Sequence, residues 1–430
     1  MTPLTLDQLR ETLPALDELR PVFDHVLATS TPPEGQRWAS STLLGTAGGR
    51  IAQLDDVLRD FEAVAEVEAR HMAAIHELVR SVLTALAADD RQAAAEALLE
   101  AAGLEEGRDR FDRAFAYADA AQRTLSARDS TALSARAERR RARAARFSGR
   151  FDTAFRDYSG AYARAQALGD TQGAAEAAIG AGNVLEDQAL WNDAEAWYGV
   201  AIAAMDRAGY DGAERWQASL NIHVVLRSQG RLTEAAERLA EARRAASTAS
   251  DESALPFLEN AEGQWLMADG RVEEAIDHLT LALAAAPNSR ARVIIRLNLA
   301  EALHASGRTL DAAEEARRAE KDAIAGSHES QLPEVYRLLG RLAADAGSPD
   351  AFVLFERALS LIEQRSLPRV QRARTLQMYA EAERTLGRHE RASELAASAS
   401  ADYQAIGIQQ RAPWAESHPA PARWDTDTDD

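Results

Sequence analysis

Two Glu-x-x-His steps, Glu68 with His71 and Glu301 with His304, are where this 430-residue chain comes closest to metal-ligand spacing. Residues three apart share a helix face, and facing helices that each carry such a step can hold a pair of metal ions. The two steps lie in different parts of the chain, so no shared centre is expected from them. His223 stands alone and reads as a packed or groove-lining residue rather than a base. There is no cysteine, which removes thiol nucleophiles, disulfides and cysteine-held zinc. Lys321 is the one lysine, so a phosphate-binding loop with its lysine cannot be built. No serine elbow and no His-Glu-x-x-His occurs. The sequence therefore predicts no catalytic residue, no metal site and no cofactor.

Charge offers the other chemistry. The stretch RAERRRARAAR, residues 136–146, holds six arginines in a chain of formal net charge −19. Net negative charge repels phosphate backbones and acidic leaflets at long range, so neither nucleic acid nor membrane is an expected partner. The first residues, MTPLTLDQLRETLPALDELR, lack a basic start followed by an apolar run, and no stretch of about 18 consecutive apolar residues occurs. The expectation is a soluble, cytoplasmic protein.

A repeat must position these groups. Ala114, Ala154, Ala194, Ala235, Ala275, Ala312, Ala351 and Ala392 are separated by 40, 40, 41, 40, 37, 39 and 41 residues. Seven residues beyond each stands another alanine: Ala121, Ala161, Ala201, Ala242, Ala282, Ala319, Ala358 and Ala399. Small residues at offsets 0 and 7 lie on one helix face and let a second helix approach closely. The residue at offset 4 is usually larger (Tyr158, Tyr198, Leu239, Leu279, Phe355), and fills the space between. A glycine precedes the first alanine in six of the eight copies, as Gly149, Gly230, Gly270, Gly307, Gly347 and Gly387. It supplies the positive φ that ends one helix and turns the chain into the next. Each unit is thus an antiparallel helix pair that must stack on its neighbour to bury its apolar face.

The segment GRVEEAIDHLTLALAAAPNS, residues 270–289, resembles the tetratricopeptide repeat in its turn glycine, alanine, bulky residue, alanine and closing proline, Pro287. The resemblance covers roughly residues 95–406, with a period near 40 in place of the family's 34. The family's first-helix glycine is present as Gly182, Gly263 and Gly340. Elsewhere it is alanine or His223, and the family's early tryptophan is missing from its usual place. The resemblance implies an all-α, right-handed superhelical solenoid of about eight helix pairs, whose first helices line a concave groove that binds rather than catalyses.

By that family geometry, Arg136, Arg139, Arg140, Arg143 and Arg146 form one groove-facing stripe of the second repeat, and Arg141 lies off it. The stripe one repeat earlier carries Glu96, Glu100 and Glu106; the one after carries Glu176, Glu186 and Asp187. Arg136, Arg140 and Arg146 are expected to pair sideways with these carboxylates. Arg139 and Arg143 face Leu99, Gly103, Ile179 and Asn183, and are the two left to hold an anion; a purely structural ion-pair lattice is the alternative. Further along, Asn183, Asn221, Asn260 and Asn298 recur at spacings of 38, 39 and 38, with Gln217 and Gln264 beside them. An amide both donates and accepts, so such a ladder can grip the backbone of an extended peptide; amides bonded to neighbouring helices or water are the other reading.

Domain boundaries follow. Residues 1–92 form an N-terminal helical module, 93–406 the eight repeats, and 407–430 an acidic, proline-containing tail expected to be disordered. The module's long helix, residues 50–88, carries a seven-residue apolar pattern from Ile51 to Leu86. Val57, Val64 and Leu78 widen the stripe, which favours packing within the chain, and a monomer, over a coiled-coil dimer. The functional expectation is a non-enzymatic scaffold or adaptor that takes a protein or extended peptide in its groove. The alternative is a peptide-sensing regulator similar to the response-regulator phosphatases of quorum sensing, with residues 1–92 as the output surface.

Overall fold

A computed structural model describes residues 70–405 apart from 72, 76, 126–130, 327, 366 and 368. The Glu68 half of the first Glu-x-x-His step, most of the N-terminal module and the acidic tail lie outside the described residues. The chain divides into two compact units, Met1–Ala145 and Arg146–Asp430.

In the first unit, α1 (Arg91–Glu106) and α2 (Phe111–Thr124) are followed by α3 (Thr131–Phe147), whose last two residues belong to the second unit. Asp90 caps α1 by accepting a hydrogen bond from the Ala93 amide at 3.0 Å. The described end of the long N-terminal helix, residues 73–75 and 77–87, packs into its own chain: Ile75 and Val82 are buried in one apolar cluster with Leu98, Leu99, Ala114, Tyr117 and Ala121. Val79 and Leu78 line that cluster too, so among the described residues the heptad positions and Leu78, which widens the stripe, face the same core.

The second unit runs from α4 (Phe151–Leu168) through α5 (Thr171–Asp187), α6 (Trp191–Ala208), α7 (Glu214–Ser228), α8 (Leu232–Ala249) and α9 (Leu255–Ala268) to α10 (Val272–Ala284). It continues with α11 (Ser289–Ala305), α12 (Thr309–Ala325), α13 (Leu332–Asp345), α14 (Asp350–Gln364), α15 (Arg369–Thr385) and α16 (His389–Ala405). Each odd-numbered helix from α5 onward packs on the even-numbered helix that follows it and touches the next odd-numbered one, α5 on α7, α7 on α9, α9 on α11, and so on to α15. First helices therefore form one continuous layer. The architecture is an all-α solenoid of tetratricopeptide-type helix pairs.

Why the pairs close so tightly is visible at the repeated alanines. All sixteen are at most 3% exposed, because each lies where one helix of a pair crosses the other. First-helix glycines answer the bulky residue at offset 4: a Cβ at Gly182 would come within 2.4 Å of the Tyr198 ring, and one at Gly263 within 2.6 Å of Leu279 Cγ. The two repeats without a turn glycine keep the turn. Asp109 and Ala189 stand at the glycine's place with φ of 57° and 58°, against 78° at Gly230. The close approach of the pair thus imposes the left-handed conformation even where the residue opposes it.

Candidate functional site

The arginine run is largely neutralised. Arg140 Nη1 donates to Glu106 Oε2 at 3.0 Å, and Arg146 Nε to Asp187 Oδ2 at 2.7 Å, as their stripe positions predict. Arg136 is exposed. Arg141, off the stripe, reaches the second helix of the preceding repeat and donates to Asp119 Oδ1 at 2.9 Å.

The premise that set Arg139 and Arg143 apart does not hold. Arg143 Nε donates to Glu106 Oε2 at 3.1 Å, so one buried carboxylate takes two guanidinium groups; Arg139 is not a free cation either. The physical reason is reach. A neighbour counted at the same register ignores that an arginine spans a full helical turn, and Glu106 at the end of α1 is accessible to both Arg140 and Arg143 on successive turns of α3.

The second unit's first-helix layer is different in kind. Asn183, Asn221, Asn260 and Asn298 are all buried. Asn221 Nδ2 donates to Asn183 Oδ1 at 3.0 Å, and Asn298 Nδ2 to Asn260 Oδ1 at 2.9 Å, so the amides join in two pairs across neighbouring first helices. The Tyr198 hydroxyl lies 2.8 Å from Asn183 Oδ1 and 2.9 Å from Glu186 Oε2, with a single hydrogen to share between them. Asn183 is thereby held by its own second helix and in turn holds Asn221. Gln264 Oε1 accepts from Arg227 Nη2 at 3.0 Å, and Gln217 is half-buried beside them on α7.

Arg227 was not singled out by sequence reasoning. It is buried, and among the described residues it makes no ion pair; its hydrogen bond goes to the neutral Gln264 amide. Burial pushes its guanidinium down to about 10, with the charge of Glu186 partly opposing the shift. One turn before it, His223 is fully buried, with Nδ1 2.8 Å from the Ala235 carbonyl oxygen. Loss of water, then the Arg227 charge, pushes this imidazole down to about 3, which fixes it as neutral, with Nδ1–H donating to the carbonyl. A neutral, buried histidine filling a glycine position is a packing residue, not a base. The signal that could have revealed Arg227 was its register, 37 residues before Gln264 and six after Asn221.

The second Glu-x-x-His step is dispersed into ion pairs. Glu301 Oε1 faces Arg341 Nη2 at 3.6 Å, and His304 Nε2 faces Asp345 Oδ2 at 2.9 Å, both on α13. Among the described residues no group of three or more potential ligands comes together to hold a metal ion, and no helix is long and apolar enough to cross a membrane.

No family model matches the chain, and no curated protein matches it. Solved structures do. A Rap protein in complex with competence and sporulation factor superposes with a TM-score of 0.60 at 16% identity, over 80% of this chain and 100% of that one. The Rap conjugation gene regulator of the plasmid pLS20, in complex with the Phr* peptide, gives 0.54 at 14% identity, over 78% of this chain and 95% of that one. At such identities the likeness is one of fold: this chain is similar to Rap proteins in its all-α array of tetratricopeptide-type repeats.

Proposed function

We propose that the first-helix layer of the second unit binds an extended peptide, and that the chain is a peptide-responsive regulator rather than a passive scaffold. The observation that carries the reading is the pairing of the asparagines. Each pair uses one N–H and one oxygen, and an asparagine offers two N–H donors and an oxygen with two lone pairs. The amides are thus locked in orientation while donors and acceptors remain for the main chain of a ligand, which presents both at every residue. Asn183 acts as the brace for Asn221; Asn221, Asn260 and Asn298, with Gln217 and Gln264, are the gripping groups. Binding through the main chain tolerates varied side chains and is cheap to preorganise on rigid helices.

Two Rap structures of the same fold are complexes with a peptide or a factor, which favours regulation by a peptide over general adaptor duty. In that reading residues 1–92 are the output surface, and peptide binding in the repeats changes what they contact.

The test is fluorescence polarisation of the full-length protein against pools of labelled random pentapeptides, repeated with Asn221→Ala and Asn260→Ala. Each substitution should weaken binding by about 1–3 kcal/mol, with little dependence on salt, because neutral hydrogen bonds are lost. Unchanged binding in both variants would place any peptide site elsewhere.

A further inference from the structure

The peptide-binding reading leaves one group without a task, the buried cation at Arg227. We propose that Arg227, Gln264 and Asn260 form a receptor for a single carboxylate of the bound peptide. The inference rests on the peptide reading and adds to it a ligand chemistry.

Three N–H donors in this small region have no hydrogen-bond partner: Arg227 Nε, Gln264 Nε2 and Asn260 Nδ2. Their residues are 9%, 8% and 0% exposed, so water does not simply replace a partner. Their grouping follows from the bonds that are made. Arginine has no acceptor, so the Gln264 oxygen must be the atom turned to Arg227 Nη2, which sends the Gln264 NH2 the other way. Asn260 lies four residues before Gln264 on α9, on the same helix face. Its oxygen is taken by Asn298 of α11, which leaves its NH2 on the remaining edge of the amide.

The result is a cation and two amide donors that no carboxylate hydrogen-bonds; Glu186 acts on Arg227 through its charge alone. The Arg227 guanidinium, though pushed down, remains charged at neutral pH. A carboxylate is acceptor-only, with two oxygens and about four lone-pair sites, and can take a guanidinium edge and two amide N–H groups together. An apolar or cationic side chain here would leave all three donors unmet. The helix layer of the same unit pairs its other buried arginines differently: Arg146 has Asp187, and Arg337 Nη2 has Glu334 at 3.1 Å.

A carboxylate can come from an aspartate or glutamate side chain or from the peptide's C-terminus. The experiment separates them. Full-length protein is offered two random pentapeptide libraries, one with free C-termini and one C-terminally amidated, and the retained peptides are sequenced by mass spectrometry. The expected result is enrichment of Asp or Glu at one fixed position in both libraries for a side-chain carboxylate, or retention confined to the free-acid library for a terminal one. Arg227→Gln should erase that preference and weaken an acidic peptide about 10- to 100-fold, leaving its neutral analogue bound as before. The double variant Arg227→Met with Gln264→Met removes the buried charge and its amide together. It should melt no lower than wild type while lacking the acidic preference, so a misfolded Arg227→Gln does not blunt the test. Retained peptides without an acidic preference, or a preference that survives Arg227→Gln, would sink the carboxylate receptor while sparing the peptide reading. No retained peptide in either library sinks both.

Discussion

Guanidinium groups drawn partly or wholly out of water occur in both units, and their partners differ. On α3, Arg140 and Arg143 converge on Glu106, so each guanidinium has a carboxylate oxygen at 3.0 or 3.1 Å. On α7, Arg227 meets an amide oxygen and makes no ion pair among the described residues, the charge of Glu186 acting on it without a hydrogen bond. Desolvating a cation is costly in either place. A carboxylate within the fold repays that cost permanently; an amide repays part of it and leaves the rest to a partner from outside. The density of arginine in a sequence is therefore a poor guide to where an anion can bind. Arg227 is better placed for it than the six arginines of residues 136–146.

The largest effect should come from removing the carboxylate that closes the first region. Glu106→Ala takes a carboxylate from two partly buried guanidinium groups at once, and unfolding by urea should show a loss of about 3–5 kcal/mol. A loss below about 1 kcal/mol would show that water reaches Arg140 and Arg143 freely, and the contrast between the units would vanish.

The pH dependence of the second region should come next in size. His223, held neutral and pushed down to about 3, takes up a proton in the unfolded chain near pH 6.5 but not in the fold. The unfolded state therefore binds more protons between those values, so stability is full above about pH 6.5 and falls as pH drops. Between pH 7 and pH 5 the loss from this residue is about 2 kcal/mol. Thermal melts across that range should show a slope in wild type that is flatter in His223→Gln. Arg227→Met should leave that slope nearly unchanged between pH 7 and pH 5 and end the decline at a higher pH below it, because burial is the larger cause of the depression and the neighbouring cation the smaller.

How far the sequence reaches is clearest at these same residues. The alanine pairs were legible because close helix contact admits one residue type, and every one of them is buried. Arg140 and Arg146 could be paired from register alone, since their partners sit one repeat away at matching turns. Arg143 could not, because a long side chain samples more than one turn and its partner is chosen by three-dimensional reach. The asparagine periodicity was visible, whereas the bonds between the asparagines were not: pairing 183 with 221 and 260 with 298 depends on offsets of a few residues between neighbouring helices. Arg227 carried no compositional signal at all; its significance is the missing charge opposite it.

The comparison also assumes that both units are built on one repeat, and the turns test that assumption. Ala189 in the second unit and Asp109 in the first both hold a conformation suited to glycine. Ala189→Gly should gain up to about 1 kcal/mol by releasing this strain, visible as a raised Tm. Asp109→Gly should gain less, because aspartate tolerates the left-handed region better than alanine. A Tm lowered by Ala189→Gly would mean that the repeats without glycine turn by some other constraint.

The smallest effect belongs to Arg141, and it isolates depth as the variable. It lies in the same run as Arg140 and Arg143, yet it and Asp119 are each about 20% exposed, and Asp119 is also held by Arg123 at 2.8 Å. Replacing Arg141 by glutamine therefore leaves Asp119 paired with Arg123, whereas Glu106→Ala removes a carboxylate from Arg140 and Arg143 together. The cost should be about 0.5 kcal/mol, and it should shrink further when ionic strength is raised, because water and salt already screen the pair. Melting Arg141→Gln beside wild type at low and high salt measures this directly. A cost as large as that of Glu106→Ala would show that the arginine run acts as one indivisible lattice. A small, salt-sensitive cost would show that Arg141 stands apart from the arginines paired with Glu106 and Asp187, and that a guanidinium's burial and its opposite charge, rather than its place in a run, decide what it does.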